Sequence, residues 1–156
     1  KTKLIIMLLL VVRVSGSVTG QQVPTPEEAL GYAVGSDFKL ATYDESLAYF
    51  QQLDDASDKM QLVRIGQPSQ GRDWFFALIS SPQNLADMER YRSIAQQLAH
   101  PEGLSEADAR ILVQEGKAIV PIDGGLHASE VAGAQHTIQL AYDLVNGADD
   151  PMISSI

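Results

Sequence analysis

Ala118–Val145, AIVPIDGGLHASEVAGAQHTIQLAYDLV, reads as a short strand, a glycine-rich turn and a helix, and its reading decides the fold. Ala118–Ile122 is an apolar run of strand length, and Pro121 marks the end of such a strand rather than its middle. Asp123-Gly124-Gly125 is turn chemistry. Ser129 or a neighbour is placed to cap a helix that runs to about Asn146, with Gly147 as its stop. Val131, Ala134, Ile138, Ala141 and Leu144 recur at helical spacing and define the expected buried face.

At the junction of strand and helix stand His127 and Glu130. Residues three apart in one helical turn share a face, so an imidazole nitrogen and a carboxylate oxygen can converge on one ion. Zinc accepts both ligand types at about 2.0–2.2 Å in a tetrahedral arrangement, and a catalytic zinc keeps three protein ligands and one position for water. With three His and eight Glu in 156 residues, a His-x-x-Glu pair arises by chance about 15% of the time. The spacing alone is therefore a weak signal, and the strand, turn and helix around it give it weight.

Upstream, Pro26–Leu30 is expected to open a short helix after a cap at Thr25, since proline suits the first helical position and acids suit the first turn. Gly31–Leu40 is irregular. Tyr43–Leu53 is a helix with Leu47, Tyr49, Phe50 and Leu53 inward, followed by a polar turn at Asp54–Asp58. Met60–Gly66 and Trp74–Ser80 form a hairpin, and the second strand, more continuously apolar, is expected to be the more buried. Leu85–Leu98 is a single helix ended by Pro101, and Ser105–Asp108 caps another running to about Glu115 and stopped by Gly116. His100 reads as a cation near a helix C-terminus. His136 falls about 120° around the helix from Glu130 and is a packing or surface residue. Arg72 reads as a solvated turn residue.

The motif Asp123-Gly124-Gly125-Leu126-His127-Ala128-Ser129-Glu130 resembles the zinc-binding motif of the M14 metallocarboxypeptidases. Leu62–Arg72 followed by Asp73–Ile79 is similar to that family's opening hairpin with its Gly-Arg turn, and Tyr43–Leu53 to its early helix. By this resemblance His127 and Glu130 are two of three zinc ligands, and Zn2+ is the expected cofactor. The resemblance also implies an α/β fold class: part of a mixed-sheet α/β/α sandwich, truncated at the C-terminus. The family's third ligand, a His, its general base, a Glu, and its substrate-binding Arg, Asn and Tyr residues all belong further downstream than Ile156. Residues 26–156 are thus expected to be the N-terminal part of a catalytic domain, inactive by itself. Digestive-type members carry Arg where this chain has Ser129, so the subsite preference is open. A strand at Ala118–Ile122 would lack later neighbours, and exposed strand edges invite association, so the isolated chain is expected to be poorly soluble or partly unfolded.

The beginning of the chain is a separate matter. Its first residue is Lys rather than Met, so a residue or more is expected to precede it. Lys1 and Lys3 flank the apolar run Leu4–Val12, which fits a signal-peptide core of ~7–15 residues and is short of the ~20 that span a bilayer. Val18-Thr19-Gly20 offers a cleavage site before Gln21. Residues 1–20 are read as a signal peptide, 21–25 as a linker, and the protein as exported, secreted or periplasmic, without a stable membrane span once cleaved. The net charge is −9, from 20 acidic and 11 basic residues, with no basic cluster, which argues against nucleic acid or an anionic membrane as partner. There is no cysteine, so neither a disulfide nor a thiolate ligand is available.

Three functional readings follow. The first is a zinc metallocarboxypeptidase acting on a peptide or protein substrate. The second is a non-catalytic peptide- or wall-binding member of the same fold. The third is a related zinc amide or ester hydrolase. The oligomeric state is not legible.

Overall fold

The computed structural model describes residues 22–127, 129–147 and 150–153. The expected leader, residues 1–20, lies outside them. Two capping boxes start the first helices. Thr25 accepts the backbone N–H of Glu28, whose carboxylate accepts the Thr25 N–H at 2.8 Å, opening α1 (Pro26–Leu30). Thr42 and Glu45 repeat the arrangement, at 2.7 Å, for α2 (Tyr43–Ala56). This second helix runs to Ala56, past the Leu53 end that the sequence suggested.

A hairpin follows. β1 (Met60–Gly66) pairs antiparallel with β2 (Trp74–Ile79), Met60 opposite Ile79 and Val63 opposite Phe76, with a register shift between Arg64 and Gly66. Asp73 fastens its turn, taking Arg64 at 2.7 Å and Gln67 Nε2 at 2.7 Å. Alternation sends Met60, Leu62, Ala77 and Ile79 inward. Trp74 and Phe76, at 58% and 56% exposed, point the other way. Val63 and Leu78 on the same face are half-buried, so the exposure of its apolar side chains is confined to the Trp74–Phe76 end of the strand. Met60 of β1 is the one fully buried residue of the hairpin, and β2, expected to be the more buried strand, has no larger share of exposed residues than β1.

The stretch read as one helix over Leu85–Leu98 is two, α3 (Pro82–Ala86) and α4 (Met88–Ala99). Ser81 caps Asn84 and Pro82 takes the first position, which starts the helix early; Asp87, at φ −91° and ψ 10°, then breaks it. α4 pairs with α5 (Glu106–Glu115), whose N-cap is Ser105 and C-cap Gly116, and Arg90 of α4 reaches Glu115 at 2.9 Å.

Ala118–Ile122 is the principal correction. It forms no strand: the only sheet among the described residues is the two-stranded β1–β2 hairpin. A strand is held by a ladder of hydrogen bonds to a neighbour, and these residues have no such neighbour. Ile119, Val120 and Ile122 are 63%, 74% and 58% exposed. The chain then enters α6 (Val131–Asn146), capped at its end by Gly147 as expected.

α6 lies against α2, and both rest on the inner face of the hairpin. Tyr49 and Leu53 of α2, Met60 of β1, and Ile138, Ala141 and Val145 of α6 make the core, joined by Ala41. Burial of the Tyr49 ring pushes its hydroxyl pKa up, and the hydroxyl donates to Pro24 O at 2.9 Å. Lys59 reaches the Val145 carbonyl at 3.3 Å, a cation at the end of α6 where the dipole favours it. The buried face of α6 is rotated from the expected one. Val131 is half exposed and Ala134 exposed, because the first turn of the helix lines a cleft instead of the core. The architecture of the described residues is mixed α/β, with the hairpin and six helices. No described helix is long and apolar enough to cross a membrane.

Candidate functional site

His127 and Glu130 meet. His127 Nδ1 lies 2.8 Å from Glu130 Oε1. The local cause is a turn rather than the helix itself: the Glu130 N–H donates to His127 O at 3.0 Å, one residue before α6 begins. An i→i+3 bond of this kind eclipses the side chains at its two ends. Glu130 is the N-cap residue, yet it makes no side-chain cap, since its carboxylate faces His127 instead of the helix N–H groups. The expected capping by Ser129 or a neighbour is thus met in position but not in hydrogen bonding.

Asp123 serves the turn. Its Oδ1 accepts the Gly125 N–H at 2.8 Å, and Gly125 sits at φ 144°, a conformation that a side chain disfavours. His127 and Glu130 remain 73% and 54% exposed along their side chains, so both can rotate. They stand on one wall of a cleft of about 460 Å³, with Val131 and Ala134 beside them. Leu40–Tyr43 forms the opposite wall. That volume is in the range that accepts a small ligand or one end of a peptide.

The far wall is held by a residue that sequence reasoning missed. Gln135 of α6, only 5% exposed, is the one buried polar residue among those described. Its Oε1 accepts the Gly35 N–H at 2.9 Å, and its Nε2 donates to Lys39 O at 2.7 Å. The irregular segment that leads into Leu40 is thereby tied to the helix that follows Glu130. At the rim, the Arg72 guanidinium lies 5.6 Å from the centre of the Tyr43 ring, and the Tyr43 hydroxyl donates to Asp73 O. Arg64, then Gln67, holds the Asp73 carboxyl below the usual carboxylate range.

The donor set suits zinc in kind and is incomplete in number. Imidazole nitrogen and carboxylate oxygen are both zinc ligands, and two ligands of one tetrahedral ion sit about 3.4 Å apart. The pair must therefore open by about 0.6 Å to take an ion, which half-exposed side chains allow. Among the described residues no group of three His, Asp or Glu gathers. His100 is the exposed C-cap of α4, and His136 is exposed on α6.

A family model described as zinc carboxypeptidase, Peptidase_M14, matches residues 46–156. No curated protein and no solved structure matches the chain.

Proposed function

Because the chain belongs to the M14 zinc carboxypeptidase family, a family of hydrolases, we propose that it contributes the first two metal ligands of a zinc-dependent carboxypeptidase. The single observation that supports this is the contact of His127 Nδ1 with Glu130 Oε1 at the family's motif, in a cleft open to solvent. In this reading His127 gives a neutral imidazole nitrogen, and Glu130 gives a carboxylate that offsets half of the metal's charge. Zinc, when bound, polarises a scissile carbonyl and brings the pKa of its water to about 7. A catalytic zinc takes three protein ligands. The described residues supply two, and the reading leaves the third ligand and the general base to residues other than these. Gln135 keeps the Leu40–Tyr43 wall at its distance from the pair, and the apolar side chains of that wall exclude water from one flank of a bound peptide. Export through residues 1–20 would deliver the protein to peptides outside the cytosol.

A second reading is a peptide-binding member of the fold that does not cleave. The experiment that separates them uses the natural protein, loaded with zinc and given an amino-blocked peptide. Release of the C-terminal amino acid, lost on chelation and in Glu130→Gln, is the expected result. Peptide retained but uncut, with or without zinc, would sink the enzyme reading in favour of the binding one.

A further inference from the structure

We propose that Gly133 is a positioning residue for the metal pair, and that it acts by seating the Asp123–Gly125 turn directly on the backbone of α6. This rests on the reading of His127 and Glu130 as ligands. A Cβ built on Gly133 would lie 1.6 Å from Gly124 O and 2.7 Å from Gly124 C, distances that only movement of the turn's backbone relieves. The same atom would come 3.5 Å from Gly125 Cα, so both turn glycines rest on this one position. The contact is reciprocal. A Cβ on Gly124 would meet Thr137 Cγ2 at 2.7 Å and Gly133 O at 3.0 Å.

The geometric consequence falls on His127, two residues past the seated turn. Glu130 is fixed from below by the start of α6, and the Gly133 N–H donates to its carbonyl at 3.2 Å. His127 is fixed from above by Gly124 and Gly125. The backbone positions from which the two side chains reach each other are therefore set where the turn touches the helix, at Gly133. Glycine is otherwise a poor choice one turn into a helix, where alanine is favoured. The close approach of the turn supplies the reason for it here.

The test is a zinc titration of the full chain followed by the NMR signals of the His127 ring, with the core methyls of Ile138 and Val145 reporting the fold. Gly133→Ala is expected to weaken zinc binding at least tenfold while the core methyls stay in place. Gly124→Ala is expected to weaken it as well. Adding Thr137→Ser to Gly124→Ala removes the clashing methyl and keeps the Thr137 hydroxyl's bond to Ala134 O, 2.9 Å in the native chain; it should restore most of the lost affinity. That rescue keeps the proposal decidable if Gly133→Ala fails to fold. Zinc affinity in Gly133→Ala equal to the native value overturns the proposal, as does a Gly124→Ala loss that Thr137→Ser leaves unrepaired. If the native chain itself shows no zinc response at His127, the ligand reading fails instead. The seating is then read without metal from proton contacts between the His127 ring and the Glu130 side chain, which must vanish in Gly133→Ala for the inference to stand.

Discussion

Replacing Gln135 by Leu keeps the side chain's bulk and removes both of its hydrogen bonds. In the native chain the amide accepts from Gly35 at 2.9 Å and donates to Lys39 O at 2.7 Å, from a residue 5% exposed. A neutral hydrogen bond contributes about 0.5–1.5 kcal/mol, and a buried partner left unsatisfied costs about 1–3 kcal/mol. Gly35 and Lys39 are surface residues that water can reach after a small opening, so the lower part of that range applies to each. The expected loss is about 2–3 kcal/mol in all. At about 1.4 kcal/mol per tenfold, this corresponds to a factor of about 30–150. The loss is local in origin, which gives the assay its discrimination. Hydrogen exchange should show the Gly35 amide losing its protection by that factor, while amides in the middle of α2 change only as far as global stability falls. Gly35 donates to no acceptor other than Gln135 among the described residues. Unchanged protection of the Gly35 amide in Gln135→Leu would refute the assignment of Gln135 as the tie for the cleft wall.

Ile138, fully buried where α6 meets α2, should lose about 2–5 kcal/mol on truncation to Ala, read from denaturant unfolding; a loss below 1 kcal/mol would mean that α6 does not carry the core. The capping carboxylates of Glu28 and Glu45 are held below the ordinary value of 4.5 by backbone bonds from Thr25 and Thr42. Their stabilisation is therefore present above pH 4.5 and is lost as pH falls through the lowered values. Helicity followed by circular dichroism should fall in that acid window, and less so in Thr25→Ala/Thr42→Ala; an equal acid loss in the double variant would contradict the capping account. The exposed Ile119, Val120, Ile122 and Leu126 should make the chain associate as its concentration rises, and Val120→Lys should reduce this in sedimentation; a native chain that stays monomeric would contradict it.

Local signals in the sequence were read well. Thr25 followed by Pro26 and Glu28, Ser105 followed by Asp108, and the glycines at 116 and 147 each act within a few residues, so caps and stops fell where expected. The alternating hairpin at Met60–Gly66 was legible for the same reason. One failure is local, since the Ser81 cap, Pro82 at the first helical position and the break at Asp87 divide the stretch read as one helix; the others are non-local. Whether Ala118–Ile122 is a strand depends on a partner to pair with, and whether Trp74 and Phe76 are buried depends on a layer over them; neither is written in the run itself. His127 and Glu130 were legible as a pair because three residues separate them. The other side of the cleft was not, because Gln135 bonds to residues 96 and 100 positions away. A polar residue one turn before Ile138 was the one available hint. Gly133 gave a similar hint, as a glycine inside an otherwise regular helix.

X-ray absorption at the zinc edge of the zinc-loaded chain tests the central claim most directly. The account predicts one imidazole nitrogen together with oxygen ligands at about 2.0–2.2 Å, with the imidazole signal abolished by His127→Ala and kept in His100→Ala and His136→Ala. An imidazole shell that survives His127→Ala, or one lost with His100 or His136, would contradict it.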